Sequence, residues 1–290
     1  MRATKLLIAI LLLAGCDLAS SAPTTTTRGS DSDAGPASSI TSPPGAAAEV
    51  IHVFDGDSML VSINGEEAEI RLLGVNAPEG SECHGDAARD TLAQLVDSGD
   101  VTLVTDADDT DRFGRMLRYV YVDGLNVNLA LLANGDAIAL QGGHSAESDF
   151  ITISDAAAEA ELGLWAADAC GSTPPPSDVE ISDYVYNPDG RDEDNQNGEW
   201  IAIANTSGEA IDMGNWILRD ESTQHRFTFP DGFHLDSSRE VRVHSGCGED
   251  TPAHLYWCAD DPVWSNGGDT VLLQLADGTV VGHSRFSGDF

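Results

Sequence analysis

Two short runs of acids and arginines stand out in a chain otherwise poor in cations. Asp55-Gly56-Asp57 lies at a turn between two strand-like segments, Arg71 falls at the end of a third, and Asn76-Ala77-Pro78-Glu79 follows at once. Further along, Asp111-Arg112-Phe113-Gly114-Arg115-Met116-Leu117-Arg118 holds three of the five arginines between positions 48 and 170. Hydrolysis of a phosphodiester needs a cation against the non-bridging oxygens, fixed positive groups for the five-coordinate transition state, and a group that orients or deprotonates water. Acidic oxygens and arginines on adjacent strand ends supply all three, and clustered guanidinium groups suit phosphate because their planar donors bond it in pairs.

The elements that must carry these residues are legible as alternation and turns. Glu49–Phe54, Ser58–Ile63 and Glu67–Leu73 read as strands: Met59, Val61 and Ile63 alternate, and Asn64-Gly65 supplies a tight hairpin turn. Asp86 to Ser98 reads as a helix, with Ala88, Leu92, Leu95 and Val96 on one face and Gly99 as its stop. Val101–Thr105 and Met116–Val122 are further strands, Asn128–Asn134 is a short helix ended by Gly135, and Glu147–Leu162 is a third helix. Five strands with interspersed helices predict an OB-fold barrel within a mainly β protein. After the Pro-rich linker 171–177, the remainder has short strands and many turn residues, which predicts an all-β sandwich.

Arg2 and Lys5 precede an apolar run, Leu6 to Ala14, that is too short to span a bilayer and reads as an export signal over 1–15. It ends in Leu13-Ala14-Gly15-Cys16, which resembles a bacterial lipobox and implies lipid on Cys16, tethering the chain to a membrane and placing it outside the cell. Residues 16–47 are rich in Ser, Thr, Pro, Gly and Ala and read as a flexible tether. With Cys16 assigned to lipid, the four remaining cysteines make an even set and suggest two disulfides in an oxidising compartment. Three pairings are open; domains at 48–170 and 178–290 favour Cys83–Cys170 and Cys247–Cys258. Against all this stands a formal charge of −35, which argues against a polyanionic partner unless salt screens the repulsion, as in a saline setting.

Asp55-Gly56-Asp57-Ser58, Arg71 through Glu79 and Asp111 through Arg115 resemble the three signature segments of the staphylococcal nuclease family, in order and at its spacing, over residues 48 to about 168. Glu82-Cys83-His84-Gly85 and Gly163-Leu164-Trp165 are similar to secreted members whose cysteines pair near these points. The resemblance implies a calcium-dependent phosphodiesterase acting on DNA or RNA. Asp57 would ligate Ca2+ directly, with Asn76 as a second side-chain ligand and the Ala77 carbonyl beside it; Glu79 would act on the attacking water; Arg71 and Arg115 would grip the phosphate. Asp55 would orient waters from outside the metal's shell, Asp111 would hold the arginine loop, and Arg112 and Phe113 would meet the substrate, Phe113 by stacking on a base or instead by packing in the barrel. The family carries an aspartate where this chain has Asn76, so one metal-ligand charge is missing. His84 and His144 read as surface or loop histidines.

The segment 178–290 resembles a lamin-tail domain, an immunoglobulin-like sandwich, in Gly198-Glu199-Trp200-Ile201, Asn215-Trp216-Ile217-Leu218-Arg219-Asp220, His254-Leu255-Tyr256-Trp257 and Gly268-Asp269-Thr270-Val271-Leu272. Its tryptophans are expected to fill the core and pin loops, Asp192 to Glu199 to form a solvated acidic loop, and its ligand is not named by the resemblance. The chain is expected to be a monomer. The leading expectation is an extracellular nuclease; the rivals are a retired nuclease fold serving as a surface-anchored binding or scaffold protein, and a structural surface protein in which the sandwich dominates.

Overall fold

The computed structural model describes residues 43–106, 108–171, 176–222 and 224–288. The export signal 1–15, Cys16 and most of the expected tether and proline-rich linker lie outside them. The N-terminal portion consists of β1 (Ala46–Val53), β2 (Ser58–Ile63), β3 (Glu66–Leu72), β4 (Val75–Asn76), α1 (Gly85–Val96), β5 (Val101–Val104), β6 (Met116–Val122), β7 (Leu125–Asn126), α2 (Val127–Asn134), β8 (Ile138–Ala139) and α3 (Glu147–Glu159). The sheet order is β3-β2-β1-β5-β6-β7, and a parallel β3–β6 pairing closes five of these strands into a barrel.

Local chemistry explains the turns. Asn64 and Gly65 both take positive φ, 53° and 89°, which a tight β2–β3 hairpin requires, and α2 ends on Gly135 at φ 72°. Gly56 is needed for a different reason, because a Cβ there would lie 2.6 Å from the Cβ atoms of both Ala77 and Ala88. The barrel core is filled by Met59, Val61, Ile70, Leu72, Leu103 and Val120, with Leu92 from α1 and Leu131 from α2 packed against it.

Three expectations need correction here. The tether does not reach residue 47: Ala46, Ala47 and Ala48 pair with Leu103, Thr102 and Val101 of β5, so an alanine run that reads as linker begins a strand of the barrel. The third helix stops at Glu159 rather than Leu162, because Glu161 and Gly163 turn the chain through positive φ. His144 is buried, against Tyr119 and Phe150, and leaves no room for a Cβ on Gly74, whose φ is +75°; His84 is bonded to Asp136 at 2.7 Å.

The C-terminal portion is all β: β9 (Val179–Val185), β10 (Trp200–Asn205), β11 (Ile211–Asp212), β12 (Ile217–Arg219), β13 (Arg226–Thr228), β14 (His234–Leu235), β15 (Glu240–His244), β16 (His254–Tyr256), β17 (Gly268–Gln274) and β18 (Val280–Ser287). Two four-stranded sheets, β16-β15-β10-β9 and β13-β12-β17-β18, enclose a core that includes Trp216, Trp264, Phe229 and Phe286. Trp200 instead lies under the Arg242 guanidinium, 4.1 Å from ring centre. The expected solvated loop is solvated only in part: Glu199 is 0% exposed and its carboxylate accepts hydrogen bonds from the Val263 and Trp264 amides at 3.0 and 3.1 Å.

The two portions share a third apolar cluster, in which Ile138, Ala157, Leu164 and Trp165 meet Leu272 and Val280. Both disulfides form as expected, Cys83–Cys170 and Cys247–Cys258, each within one portion. Because 87 residues separate Cys83 from Cys170, replacing both with serine should cost roughly 4 kcal/mol through the loop-closure entropy returned to the unfolded chain. A urea midpoint equal to that of the intact protein would show that the bridge adds nothing.

Candidate functional site

Register brings the acids and arginines together. In the β2–β3 pairing Ser58 faces Arg71, so the arginine lies beside the Asp55–Asp57 turn. Asp55 accepts from the Asp57 amide at 2.9 Å and from Ser58 Oγ at 2.6 Å, which folds the turn and presents Asp57 inward. Asp57 is 5% exposed; one carboxylate oxygen accepts from the Ala77 amide at 2.7 Å and pairs with Arg71 Nη2 at 3.0 Å. Burial pushes its carboxyl up to about 7, with Asp55 adding to the push and Arg71 opposing it.

Arg71 is anchored through both terminal nitrogens. Nη1 donates to the Leu72 and Val75 carbonyls at 2.8 and 2.6 Å, and Nη2 donates to Asn76 Oδ1 at 3.0 Å. Glu79 is exposed, yet partial burial of its carboxyl, then Asp55 and Glu82, hold it above the ordinary value while Arg71 and Arg115 pull it down. The same four neighbours show that Glu79 faces the field of both arginines.

The arginine loop is built on Asp111, whose carboxylate accepts from the Phe113 and Arg115 amides at 2.9 Å each and from Arg115 Nε at 2.7 Å. Burial raises the Asp111 carboxyl, but the bonds from Arg115 and Phe113 outweigh it and the group stays ionised below its usual range. Gly114, at φ +87°, allows the turn. Phe113 is 70% exposed, with Arg112 and Arg115 guanidinium carbons 4.7 and 5.7 Å from its ring centre, so it does not pack in the barrel and its ring lies open beside two cations.

Arg71 and the arginine loop, but not Asp57, Asn76 or Glu79, line a cleft of about 640 Å3 whose opposite wall belongs to the C-terminal portion: Arg71, Phe113 and Arg115 face a side that includes Asp220, Glu221 and Asp269. Burial, then Glu221 and Asp220, raise the Asp269 carboxyl to about 8. Sequence reasoning missed this wall, because nothing local marks residues whose partners lie far away in the chain. A larger groove of about 1190 Å3, lined by Glu49, His52, Arg89 and Asp100 among others, includes none of Arg71, Arg112 and Arg115 and assembles no comparable set.

The oxygens present suit a hard cation better than a soft one. Asp57 is a buried carboxylate whose charge a cation would stabilise, and the Asp57–Ala77 bond fixes the segment expected to supply the other ligands. Among the described residues no three His, Cys, Asp or Glu side chains are grouped to hold a metal ion, so a cation here would complete its shell with water and phosphate oxygens, as such ions commonly do.

The staphylococcal nuclease homologue family matches residues 69–167 and the lamin tail domain matches residues 172–287. Among curated proteins the chain is 31% identical over 127 residues to micrococcal nuclease of Shigella flexneri, covering 40% of this chain and 72% of that protein. It is similarly 32% identical over 127 residues to protein ParB of Escherichia coli, covering 40% of this chain and 71% of ParB. To endonuclease YncB of Bacillus subtilis it is 40% identical over 89 residues, 28% of this chain and 42% of that protein.

Proposed function

Since the chain belongs to the staphylococcal nuclease homologue family and carries a lamin tail domain behind that unit, we propose that it is a calcium-dependent nuclease, acting outside the cell on DNA or RNA and held to a membrane by lipid on Cys16. The observation that carries the chemistry is that Arg71 and Arg115 line one cleft, that Arg71 pairs there with the buried Asp57, and that both arginines act electrostatically on Glu79. Asp57 and Asn76, with the Ala77 carbonyl, would hold calcium, which when bound supplies positive charge against the phosphate oxygens.

Arg115, fixed through Nε, presents the rest of its guanidinium to the phosphate, and Arg71 adds a second positive group that stabilises charge as the phosphorus becomes five-coordinate. Glu79, with its proton affinity raised, orients water and takes its proton. Phe113 stacks against a base, and Asp55 and Asp111 hold the turns in place. Export is supported by the Leu13–Cys16 run and by the two disulfides.

The direct test is cleavage of DNA and RNA by the purified protein with calcium and with a chelator; equal rates in both would remove the metal. Salt gives a second check. A basic nucleic-acid binder weakens steadily as salt rises, but a chain of charge −35 repels its substrate until salt screens it. Cleavage at fixed calcium should therefore rise before it falls, and a monotonic decline from the lowest salt would contradict the proposal.

A further inference from the structure

Two of the groups assigned to catalysis are tied to the lamin tail domain through a single intermediary each. Asn76 Nδ2 donates to the Glu221 carbonyl at 2.9 Å in a buried bond, while Asn76 Oδ1 accepts from Arg71 Nη2 at 3.0 Å. The orientation of this amide is forced from both ends, since a guanidinium only donates and a peptide carbonyl only accepts. Glu221 is itself fixed, its carboxylate accepting from the Gln141 amide at 2.6 Å and from Thr270 Oγ1 at 2.9 Å.

The second tie runs through Glu82. Its Oε2 accepts from the Glu79 amide at 3.1 Å, and the Glu82 amide donates back to the Glu79 carbonyl at 2.7 Å, closing the turn that carries Glu79. The other oxygen, Oε1, accepts from Arg226 of the C-terminal domain, and buried Arg219 lies 3.9 Å from Oε2. A carboxylate at position 76 would satisfy Arg71 but not the carbonyl, leaving two acceptors opposed in a buried contact.

We propose that the lamin tail domain is a working part of the nuclease site: the Glu221 carbonyl through Asn76, and Arg226 through Glu82, position Arg71 and Glu79, and residue 76 is an amide because it must join the two domains. This rests on the nuclease reading above for what the two groups do, and on the bonds alone for what holds them. Glu82 is thus a positioning residue and Asn76 has a positioning role besides the ligand role proposed above; the departure from the family's aspartate serves the join between domains and takes one negative charge from the metal's surroundings.

The test uses the full chain as wild type, Arg226→Ala, Arg226→Lys and Asn76→Asp, with cleavage kinetics of a DNA oligonucleotide and amide hydrogen exchange over 76–82. With calcium saturating for each variant, Arg226→Ala and Asn76→Asp should each lower kcat by roughly 10- to 100-fold, as loss of such supporting bonds commonly does, with KM within about twofold. Arg226→Lys should recover most of the kcat lost in Arg226→Ala, because it restores a cationic donor facing the Glu82 carboxylate. Exchange over 76–82 should quicken about tenfold or more in Arg226→Ala and Asn76→Asp. Wild-type kcat or wild-type exchange in both variants overturns the proposal, as does a Lys variant no better than Ala. If the wild type cleaves no nucleic acid, the nuclease reading fails by itself, and exchange still decides whether the C-terminal domain holds these residues. Should Arg226→Ala fail to fold, Arg226→Lys against Asn76→Asp carries the comparison.

Discussion

Arg115→Ala is expected to lower kcat by about 10²–10³ while leaving the fold intact, the usual loss on removing one preorganised donor aimed at developing charge. The position allows a clean experiment. Arg115 is half-buried on a turn whose backbone is held by Asp111 through the Phe113 and Arg115 amides, and those bonds survive truncation of the side chain. Asp111 loses its bond from Nε but keeps those from the Phe113 and Arg115 amides, so the cost in stability should be ~1 kcal/mol. KM should rise less than kcat falls, because the arginine acts mainly on charge that appears in the transition state. Turnover within twofold of wild type would remove Arg115 from the chemistry.

For the calcium site proposed at Asp57, the half-saturating calcium concentration should climb with acidity, by about tenfold for each pH unit well below 7, because a cation would have to displace a proton held with a pKa of about 7. The half-saturating calcium concentration for cleavage, titrated at pH 6, 7 and 8, reads this directly. A flat profile would show that Asp57 is not a ligand. The same shift makes a stability forecast with the opposite sign to ordinary carboxylates. Asp57 and Asp269 both bind protons more tightly in the folded chain than in the unfolded one, where a carboxyl titrates near 3.8. The native state therefore holds more protons between about pH 4 and pH 8, and its stability in the presence of a chelator should fall as pH rises through that range. A melting temperature that instead climbs from pH 6 to pH 8 without calcium would contradict the burial of these two acids.

The barrel was largely legible because its signals are local. Met59, Val61 and Ile63 alternate, Asn64-Gly65 can hardly be anything but a hairpin turn, and Gly135 marks the end of α2. The arginine loop was legible for the same reason, since Asp111 reaches only to residue 115. What escaped was set at long range. The bond between Asn76 and Glu221 spans 145 positions, and neither residue's neighbours announce it. Ala46–Ala48 carries the composition of a linker, and only the open edge of β5 turns it into a strand. His144 and Glu199 are polar residues buried by partners far from them in sequence, and a sequence window sees the polarity without the partner.

The apolar cluster that Ile138, Leu164 and Trp165 share with Leu272 and Val280 also bears on how such a gene can be recombined. The natural place to cut is the proline-rich linker, yet the boundary of the folded unit does not follow it. A polypeptide ended there would carry an exposed greasy face where Trp165 now meets His283, their rings 4.8 Å apart, together with Asp155 stripped of Arg285. Such a fragment is a candidate for self-association, and a foreign sandwich grafted in its place would meet a surface shaped for another partner. The two halves read as interchangeable cassettes in the gene, but the protein treats them as a matched set.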